Sequence, residues 1–202
     1  MDAIAAATTA KRKKRSRKIP EALIYEIVDG RPVYFKGYRD VLNGKLKIEE
    51  IIPESSLQAW LKTQLSSMLL FMLRDKGYEV IAGELGLILQ QGGRRGVDIC
   101  IYQADKFRLS RHFLKTAPEV VIEIDIQADL EDENEMDYVI KKIDDYLQFG
   151  VKKVIWIFTS NKVIMTATAQ KPWLTLGWDA MIETIEGVTF NLEKMLGGRP
   201  ID

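Results

Sequence analysis

The chain has 202 residues, 47% hydrophobic and 29% charged, which is enough for one domain with its own core. No apolar run approaches the roughly 18–20 residues of a membrane span, so we expect no membrane partner. A single cysteine, Cys100, excludes an internal disulfide and a cysteine-rich zinc site, and a single histidine, His112, argues against a serine–histidine triad. The first ten residues, MDAIAAATTA, lack the pattern of a secretory signal, and we expect a cytoplasmic protein.

Charge is unevenly distributed, although 29 basic and 29 acidic residues give a net charge of zero. Residues 11–18, KRKKRSRK, hold seven basic residues, which leaves 22 basic and 28 acidic residues over 19–202, a net charge of −6. An acidic body is a poor unaided surface for a polyanion, and it suits either a divalent-metal site or an ordinary acidic enzyme surface. The predicted disordered tail, 1–19, either adds sequence-independent phosphate contacts or only solubilises the chain.

The predicted elements begin with a β-hairpin. Residues 22–38, ALIYEIVDGRPVYFKGY, are typical of two short strands around an Asp29-Gly30 turn. A helix is predicted over about 56–76, which Ser55 or Ser56 can cap and Gly77 can end. Its apolar residues recur at helical spacing: Leu57, Trp60, Leu61, Leu65, Met68, Leu69 and Met72.

Strand patterns follow this helix. YEVIAGE, LGLILQ, VDICIY and PEVVIEIDI are predicted strands, with a turn at QGGRRG and an irregular stretch at 103–117. A second amphipathic helix is predicted over about 133–149, followed by the strand KVIWIFTS, further strands over 161–190 and the short helix NLEKML. This order predicts a single mixed α/β (α+β) domain over residues 20–202, with a central mixed β-sheet flanked by helices.

Carboxylates interrupt the predicted strands at two places. Because side chains alternate across a strand, Glu123 and Asp125 are expected on one face of PEVVIEIDI, and Asp98 opposite its apolar neighbours in GVDICIY. If the two strands are adjacent, Asp98 and Glu123 meet, and paired carboxylates repel unless a cation lies between them. Oxygen ligands of this kind suit Mg²⁺ or Mn²⁺. The alternative is that Glu123 faces solvent and Asp98 only forms a turn.

The second predicted helix offers a lysine to the same site. With Ile143 at the centre of its apolar stripe, Lys142 lies about 100° away on the flank, whereas Lys141 lies nearly opposite, toward water. A metal-bound water and a positioned ammonium together suit attack on a phosphodiester, since the metal lowers the pKa of the water and the ammonium orients it or offsets charge.

Three segments carry a resemblance to a known family. In chain order, GVDICIY, PEVVIEIDI and KKIDDYLQFGVKKVIWI resemble the Uma2 family of restriction-endonuclease-like proteins, within the PD-(D/E)XK nuclease superfamily. The resemblance runs from about residue 20 to 198, and its most specific residues are Lys142, Tyr146, Gly150, Val151 and Trp156. It implies a restriction-endonuclease-like sheet and nuclease activity.

The resemblance also implies roles for individual residues. Asp98 and Glu123 match its two metal-binding carboxylates, and Lys142 matches a catalytic lysine that Uma2-like sequences carry on the following helix. Superfamily nucleases usually place that lysine two residues after the glutamate, where this chain has Asp125. Asp125 is then either a third metal ligand or the mark of an inactive protein. Glu84 is a further candidate for the acidic cluster.

Three functions are compatible with this sequence. The leading one is a Mg²⁺- or Mn²⁺-dependent endonuclease that cuts DNA, with Asp98 and Glu123 holding the metal and Lys142 positioning or activating the attacking water. The alternative is a catalytically inactive nucleic-acid-binding or accessory module of the same fold, and the third is a dimerising structural protein. Arg94 and Arg95 are candidates for DNA phosphate contacts, or they are simply exposed turn residues. A homodimer would allow two active sites to act on two DNA strands.

Overall fold

The structure is a computed structural model that describes residues 19–89, 92–130 and 134–202. The predicted basic tail lies outside these residues, apart from its last one, so both of its interpretations stay predictions.

The described residues form ten strands and four α-helices. The strands are β1 (Ile24–Val28), β2 (Arg31–Tyr34), β3 (Tyr78–Ile88), β4 (Arg94–Gln103), β5 (Val120–Ile124), β6 (Lys153–Phe158), β7 (Val163–Thr168), β8 (Lys171–Gly177), β9 (Ile182–Glu183) and β10 (Thr189–Phe190). The α-helices are α1 (Tyr38–Leu42), α2 (Ser56–Leu73), α3 (Glu135–Phe149) and α4 (Leu192–Leu196). Eight strands form one mixed sheet, in which β5 and β6 are parallel, and β9 pairs with β10 separately. The predicted α+β fold with a central mixed sheet is confirmed. Within the part of the chain that the structure describes, no helix has the length and apolar character needed to cross a membrane.

Turns and helix ends follow local sequence signals. Asp29 and Gly30 both have positive φ, 49° and 75°, which is the type I′ turn geometry that joins twisted hairpin strands. At the start of α2, Ser55 Oγ accepts a hydrogen bond from the Gln58 backbone N–H at 3.2 Å, and the Gln58 side chain accepts one from the Ser55 N–H at 3.0 Å. Gly77, with φ of 81°, ends the 3₁₀ turn that follows this helix. The predicted hairpin, formed by β1 and β2, and the helix predicted over about 56–76, which corresponds to α2 and the 3₁₀ turn after it, are therefore confirmed.

The two longer helices pack on opposite faces of the sheet. The face against α2 carries isoleucines from β4, β5 and β6. This helix buries a leucine at every fourth position: Leu61, Leu65, Leu69 and Leu73. Helix α3 packs on the other face, against Cys100, Val121, Val154 and Trp156. The sheet thus lies between two helical layers, each of which buries an apolar face.

The buried face of α3 is rotated relative to the prediction. With Ile143 at its centre and 100° per residue, the predicted apolar stripe includes Met136 and Ile140 within about 60°, yet these two side chains are 41% and 39% exposed. Lys142 was predicted on the flank, yet it is only 1% exposed. The cause is electrostatic, because carboxylates inside the fold pair with the Lys142 ammonium and so permit its burial. Hydrophobic periodicity takes no account of such a partner.

Strand β4 is the point at which the sheet forks. Strand β3 pairs with one side of β4, from Tyr78 opposite Gln103 to Ile88 opposite Arg94. On the other side of β4, β5 pairs with residues 99–101 and β1 pairs only with Arg94. Residues 95–98 therefore border a gap between β1 and β5, where side chains bond to backbone groups that a strand would otherwise pair.

Candidate functional site

Asp98 lies at the gap and is held from two sides. Its Oδ2 accepts a hydrogen bond from the Ile124 backbone N–H at 2.8 Å, which joins β4 to the end of β5. Its Oδ1 lies 2.8 Å from Nζ of Lys62 on α2, and that ammonium also pairs with Glu54 at 2.8 Å. The Asp98 side chain remains 16% exposed. The carboxylate is therefore firmly positioned and still open to solvent.

Glu123 is buried and points from β5 toward α3. The Tyr146 hydroxyl donates a hydrogen bond to its Oε1 at 2.6 Å, and Nζ of Lys142 lies 3.2 Å from the same oxygen. Its Oε2 has no hydrogen bond or ion pair with any residue in the described ranges. Burial raises the pKa of Glu123 to about 7, against the pull of Lys142 and with a contribution from Asp98. A second cation near Oε2 would favour the ionised form.

Lys142 lies between two buried carboxylates. Its Nζ is 2.8 Å from Oε1 of Glu26 and 3.2 Å from Oε1 of Glu123. Burial by itself would lower the pKa of Lys142, but the charges of Glu123 and Glu26 outweigh burial and hold that pKa well above its usual value. Lys142 therefore stays an ammonium, which donates hydrogen bonds and has no lone pair with which to accept a proton.

Glu26 on β1 organises a buried polar network that the sequence pattern does not predict. Its Oε1 binds Lys142 and accepts a hydrogen bond from the Gly96 backbone N–H at 3.2 Å. Its Oε2 accepts from Arg95 at 2.7 Å and from the Tyr138 hydroxyl at 2.6 Å. Burial alone would raise the pKa of Glu26, yet Lys142 and Arg95 lower it below its usual value. No local signal distinguishes this residue, because a glutamate alternating with apolar residues in a hairpin strand ordinarily faces water.

Arg95 requires a correction to the predicted DNA contacts. It is only 2% exposed, and its guanidinium pairs with both Glu26 and Asp145. It belongs to strand β4, not to an exposed turn, and its charge is neutralised by these two carboxylates within the fold. Its neighbour Arg94 is exposed. Since successive residues of a strand face opposite sides, only one of the two arginines is available at the surface.

Asp125 does not continue the face of Glu123, because β5 ends at Ile124. Its φ of 58° lies in the left-handed region, so the alternation stops there. Its Oδ1 accepts a hydrogen bond from the Thr159 N–H at 2.7 Å, and its Oδ2 accepts one from the Thr159 hydroxyl at 2.6 Å. Both carboxylate oxygens therefore connect the end of β5 to the residue that follows β6.

An Asp125→Ala variant is expected to lose about 1–3 kcal/mol of unfolding free energy, because the Thr159 N–H loses its acceptor. Urea denaturation measures this loss, and Asp105→Ala, at an exposed aspartate, serves as the control. Affinity for Mn²⁺ should not change. Weaker Mn²⁺ binding at unchanged stability would instead make Asp125 a metal ligand.

Asp98 and Glu123 line one pocket of about 120 Å³. We call it the carboxylate pocket, and Glu84, Arg94 and Phe113 also line it. A larger cleft of about 740 Å³ lies between the hairpin and α3, but neither Asp98 nor Glu123 lines it. The two predicted carboxylates therefore share the smaller pocket, at the fork of the sheet.

The donor set of the carboxylate pocket suits a small hard cation. Among the described residues, no group of three or more histidine, cysteine, aspartate or glutamate side chains is arranged to hold a metal ion. Mg²⁺, however, is commonly bound through one or two protein carboxylates and retains several waters. Asp98 and Glu123 are two carboxylates that line one pocket, and Oε2 of Glu123 has no partner among the described residues.

Fold and pocket together define an α+β protein with two carboxylates at the fork of a mixed sheet. Its fold is similar to that of a crystal structure described as "a putative nuclease belonging to DUF820 from Anabaena variabilis ATCC 29413", with a TM-score of 0.64 and 14% sequence identity. The similarity covers 85% of this chain and 89% of that one. The chain belongs to the Uma2 family, described as "Putative restriction endonuclease", whose pattern it matches over residues 40–184. No curated protein matches the sequence. The resemblance seen in the sequence is therefore confirmed.

Proposed function

We propose that this protein is a divalent-metal-dependent endonuclease that hydrolyses phosphodiester bonds in DNA. The observation that carries the proposal is the meeting of three elements at one place. Asp98 on β4 and Glu123 on β5 line the same pocket, and Lys142 on α3 lies 3.2 Å from Glu123. Membership of a family described as "Putative restriction endonuclease" supports the same chemistry.

Asp98 and Glu123 would hold Mg²⁺ or Mn²⁺, and Glu84 is a further oxygen donor that lines the pocket. When bound, the ion would supply a water of lowered pKa and a positive charge beside the scissile phosphate. Asp125 is not proposed as a ligand, because Thr159 binds both of its oxygens. Lys62 pairs with Oδ1 of Asp98, so its ammonium and a metal ion compete for that oxygen.

Lys142 would act in this reaction as a fixed ammonium. Because Glu123 and Glu26 hold its pKa above the usual value despite burial, it would act as a hydrogen-bond donor and not as a proton acceptor. Lys142 does not itself line the carboxylate pocket, so it would influence the attacking water through Glu123, which does. Glu26 positions the ammonium at 2.8 Å, and the Tyr146 hydroxyl positions Glu123 at 2.6 Å. These contacts restrict both side chains before substrate arrives, which lowers the cost of ordering them.

An inactive nucleic-acid-binding module is the second candidate. The observation in its favour is that each carboxylate already has a lysine partner, Lys62 for Asp98 and Lys142 for Glu123. Each of the two carboxylates is thus already paired with an ammonium group before any metal ion binds.

Cleavage of supercoiled plasmid and of linear single-stranded DNA distinguishes these candidates. We expect the purified protein to nick or linearise plasmid with Mg²⁺ or Mn²⁺ and to be inert in EDTA. An Asp98→Asn variant should lose this activity, whereas Asp105→Asn should keep it, because Asp105 is exposed and does not line the carboxylate pocket. Cleavage that survives Asp98→Asn would contradict the proposal. Intact DNA binding without cleavage under any condition would favour the inactive module.

A further inference from the structure

A run of basic residues lies beside the carboxylate pocket. Residues 106–115, KFRLSRHFLK, contain four lysines or arginines and no acidic residue, in a body of net negative charge. We call this stretch the basic segment, and all four of these side chains are exposed. Lys106 pairs with Glu119 at 3.5 Å. The other three basic side chains make no ion pair with any residue that the structure describes: Arg108, Arg111 and Lys115.

The basic segment is anchored to the sheet next to the pocket. The Leu114 N–H donates a hydrogen bond to the Gly86 carbonyl at 3.0 Å, and the Ile88 N–H donates one to the Leu114 carbonyl at 2.8 Å. The ring of Phe113 lies against Gly86, where a Cβ atom would come within 2.5 Å of the ring. Phe113 is nevertheless 50% exposed and lines the carboxylate pocket. The segment therefore presents an aromatic side chain at the pocket and exposed cations on either side of it in the chain.

This combination fits a nucleic-acid strand better than it fits a structural role. Exposed cations without carboxylate partners gain by neutralising phosphates, because the condensed counterions of the polyanion are released. An exposed aromatic ring can stack on a base irrespective of sequence. Arg94 adds another exposed cation that lines the same pocket.

We propose that the basic segment and Arg94 form the surface that binds the DNA phosphates on either side of the scissile one, with Phe113 stacked on a base at the pocket. The proposal rests on the proposed function, since that function supplies DNA as the ligand, and it replaces Arg95 as the predicted source of phosphate contacts.

Binding of a fluorescently labelled duplex, followed by anisotropy in EDTA between about 50 and 200 mM salt, tests this surface without cleavage. The variant carries Arg108→Gln, Arg111→Gln and Lys115→Gln. A matched control carries Lys152→Gln, Lys171→Gln and Lys194→Gln, at exposed lysines outside the basic segment and the carboxylate pocket. We expect the slope of log K against log salt to become shallower by about 0.9 for each lost phosphate contact, and affinity at low salt to fall by roughly tenfold or more. The control should bind like the wild type.

A Phe113→Ala variant measures how much the aromatic ring contributes to DNA binding, because it leaves the net charge of the protein unchanged. Its affinity for single-stranded DNA should fall by roughly fivefold or more, with the salt slope retained. The proposed surface would be overturned if the triple variant binds DNA like the wild type, or if the control variant loses as much affinity as the triple variant. In either case the proposed function would stand if the wild type still cuts plasmid. A wild type that neither binds nor cuts DNA would overturn both proposals.

Discussion

A Glu123→Gln variant is expected to lose metal-dependent DNA cleavage by roughly 10²–10³-fold while remaining folded. Glutamine keeps the size of the side chain and an oxygen that can accept the Tyr146 hydrogen bond, but it removes the charge proposed to hold the ion. Burial raises the pKa of Glu123 to about 7, so ionisation of this carboxyl at and above neutral pH opposes folding, and a neutral amide in its place should not destabilise the fold. The loss should therefore fall on metal binding and catalysis, with little change in the free energy of unfolding.

Single-turnover cleavage, calorimetric Mn²⁺ titration and urea denaturation separate these effects. Glu79→Gln, the same substitution at an exposed glutamate of β3, is the matched control. Wild-type cleavage and Mn²⁺ affinity in Glu123→Gln would remove this residue from the proposed metal site. Unfolding of the variant would show that its main role is structural.

The largest effect on stability is expected for Glu26→Ala, at about 3–5 kcal/mol of unfolding free energy. Removal of this carboxylate leaves Arg95 without its buried partner and Lys142 with Glu123 alone, and the Tyr138 hydroxyl loses its acceptor. The pKa of Glu26 is lowered in the folded protein, so its stabilising contribution is present above its ordinary pKa and is lost as the pH falls through the lowered value.

Urea denaturation at pH 7 measures the effect of Glu26→Ala, with exposed Glu49→Ala as the control. Glu26→Gln should lie between the alanine variant and the wild type, because an amide oxygen still accepts a hydrogen bond but carries no charge. A loss below about 1 kcal/mol in the alanine variant would mean that water or neighbouring groups replace the carboxylate, and that the network does not depend on it.

Glu26 makes the N-terminal hairpin part of the candidate site. Among the described residues, the hairpin pairs with the main sheet through Ile27 and Arg94. The Asp129 N–H also donates a hydrogen bond to the Tyr34 carbonyl at 2.8 Å, which joins β2 to the chain that follows β5. The contacts of Glu26 with Arg95 and Lys142 add a buried polar connection. The same carboxylate that holds the hairpin in place positions the lysine proposed to act in catalysis.

Short stretches of the sequence determine several local features of this protein. The Asp29-Gly30 turn, the Ser55 cap with Gln58 and the glycine at position 77 each depend on backbone preferences within a few residues. The order of the segments GVDICIY, PEVVIEIDI and KKIDDYLQFGVKKVIWI indicates the Uma2 family. Alternation in two of the predicted strands nominates Asp98 and Glu123.

Tertiary structure alone decided which charges are buried and with whom. Asp125 follows Glu123 by two residues, yet a left-handed φ at the strand end directs it to Thr159. Arg95 follows exposed Arg94, yet it pairs with Glu26, 69 residues away in the chain. Lys142 occupies the buried face of α3 because carboxylates from two other strands meet it there. Burying a charge costs free energy unless a partner is present, and strand pairing between distant segments, which no local pattern encodes, supplies that partner.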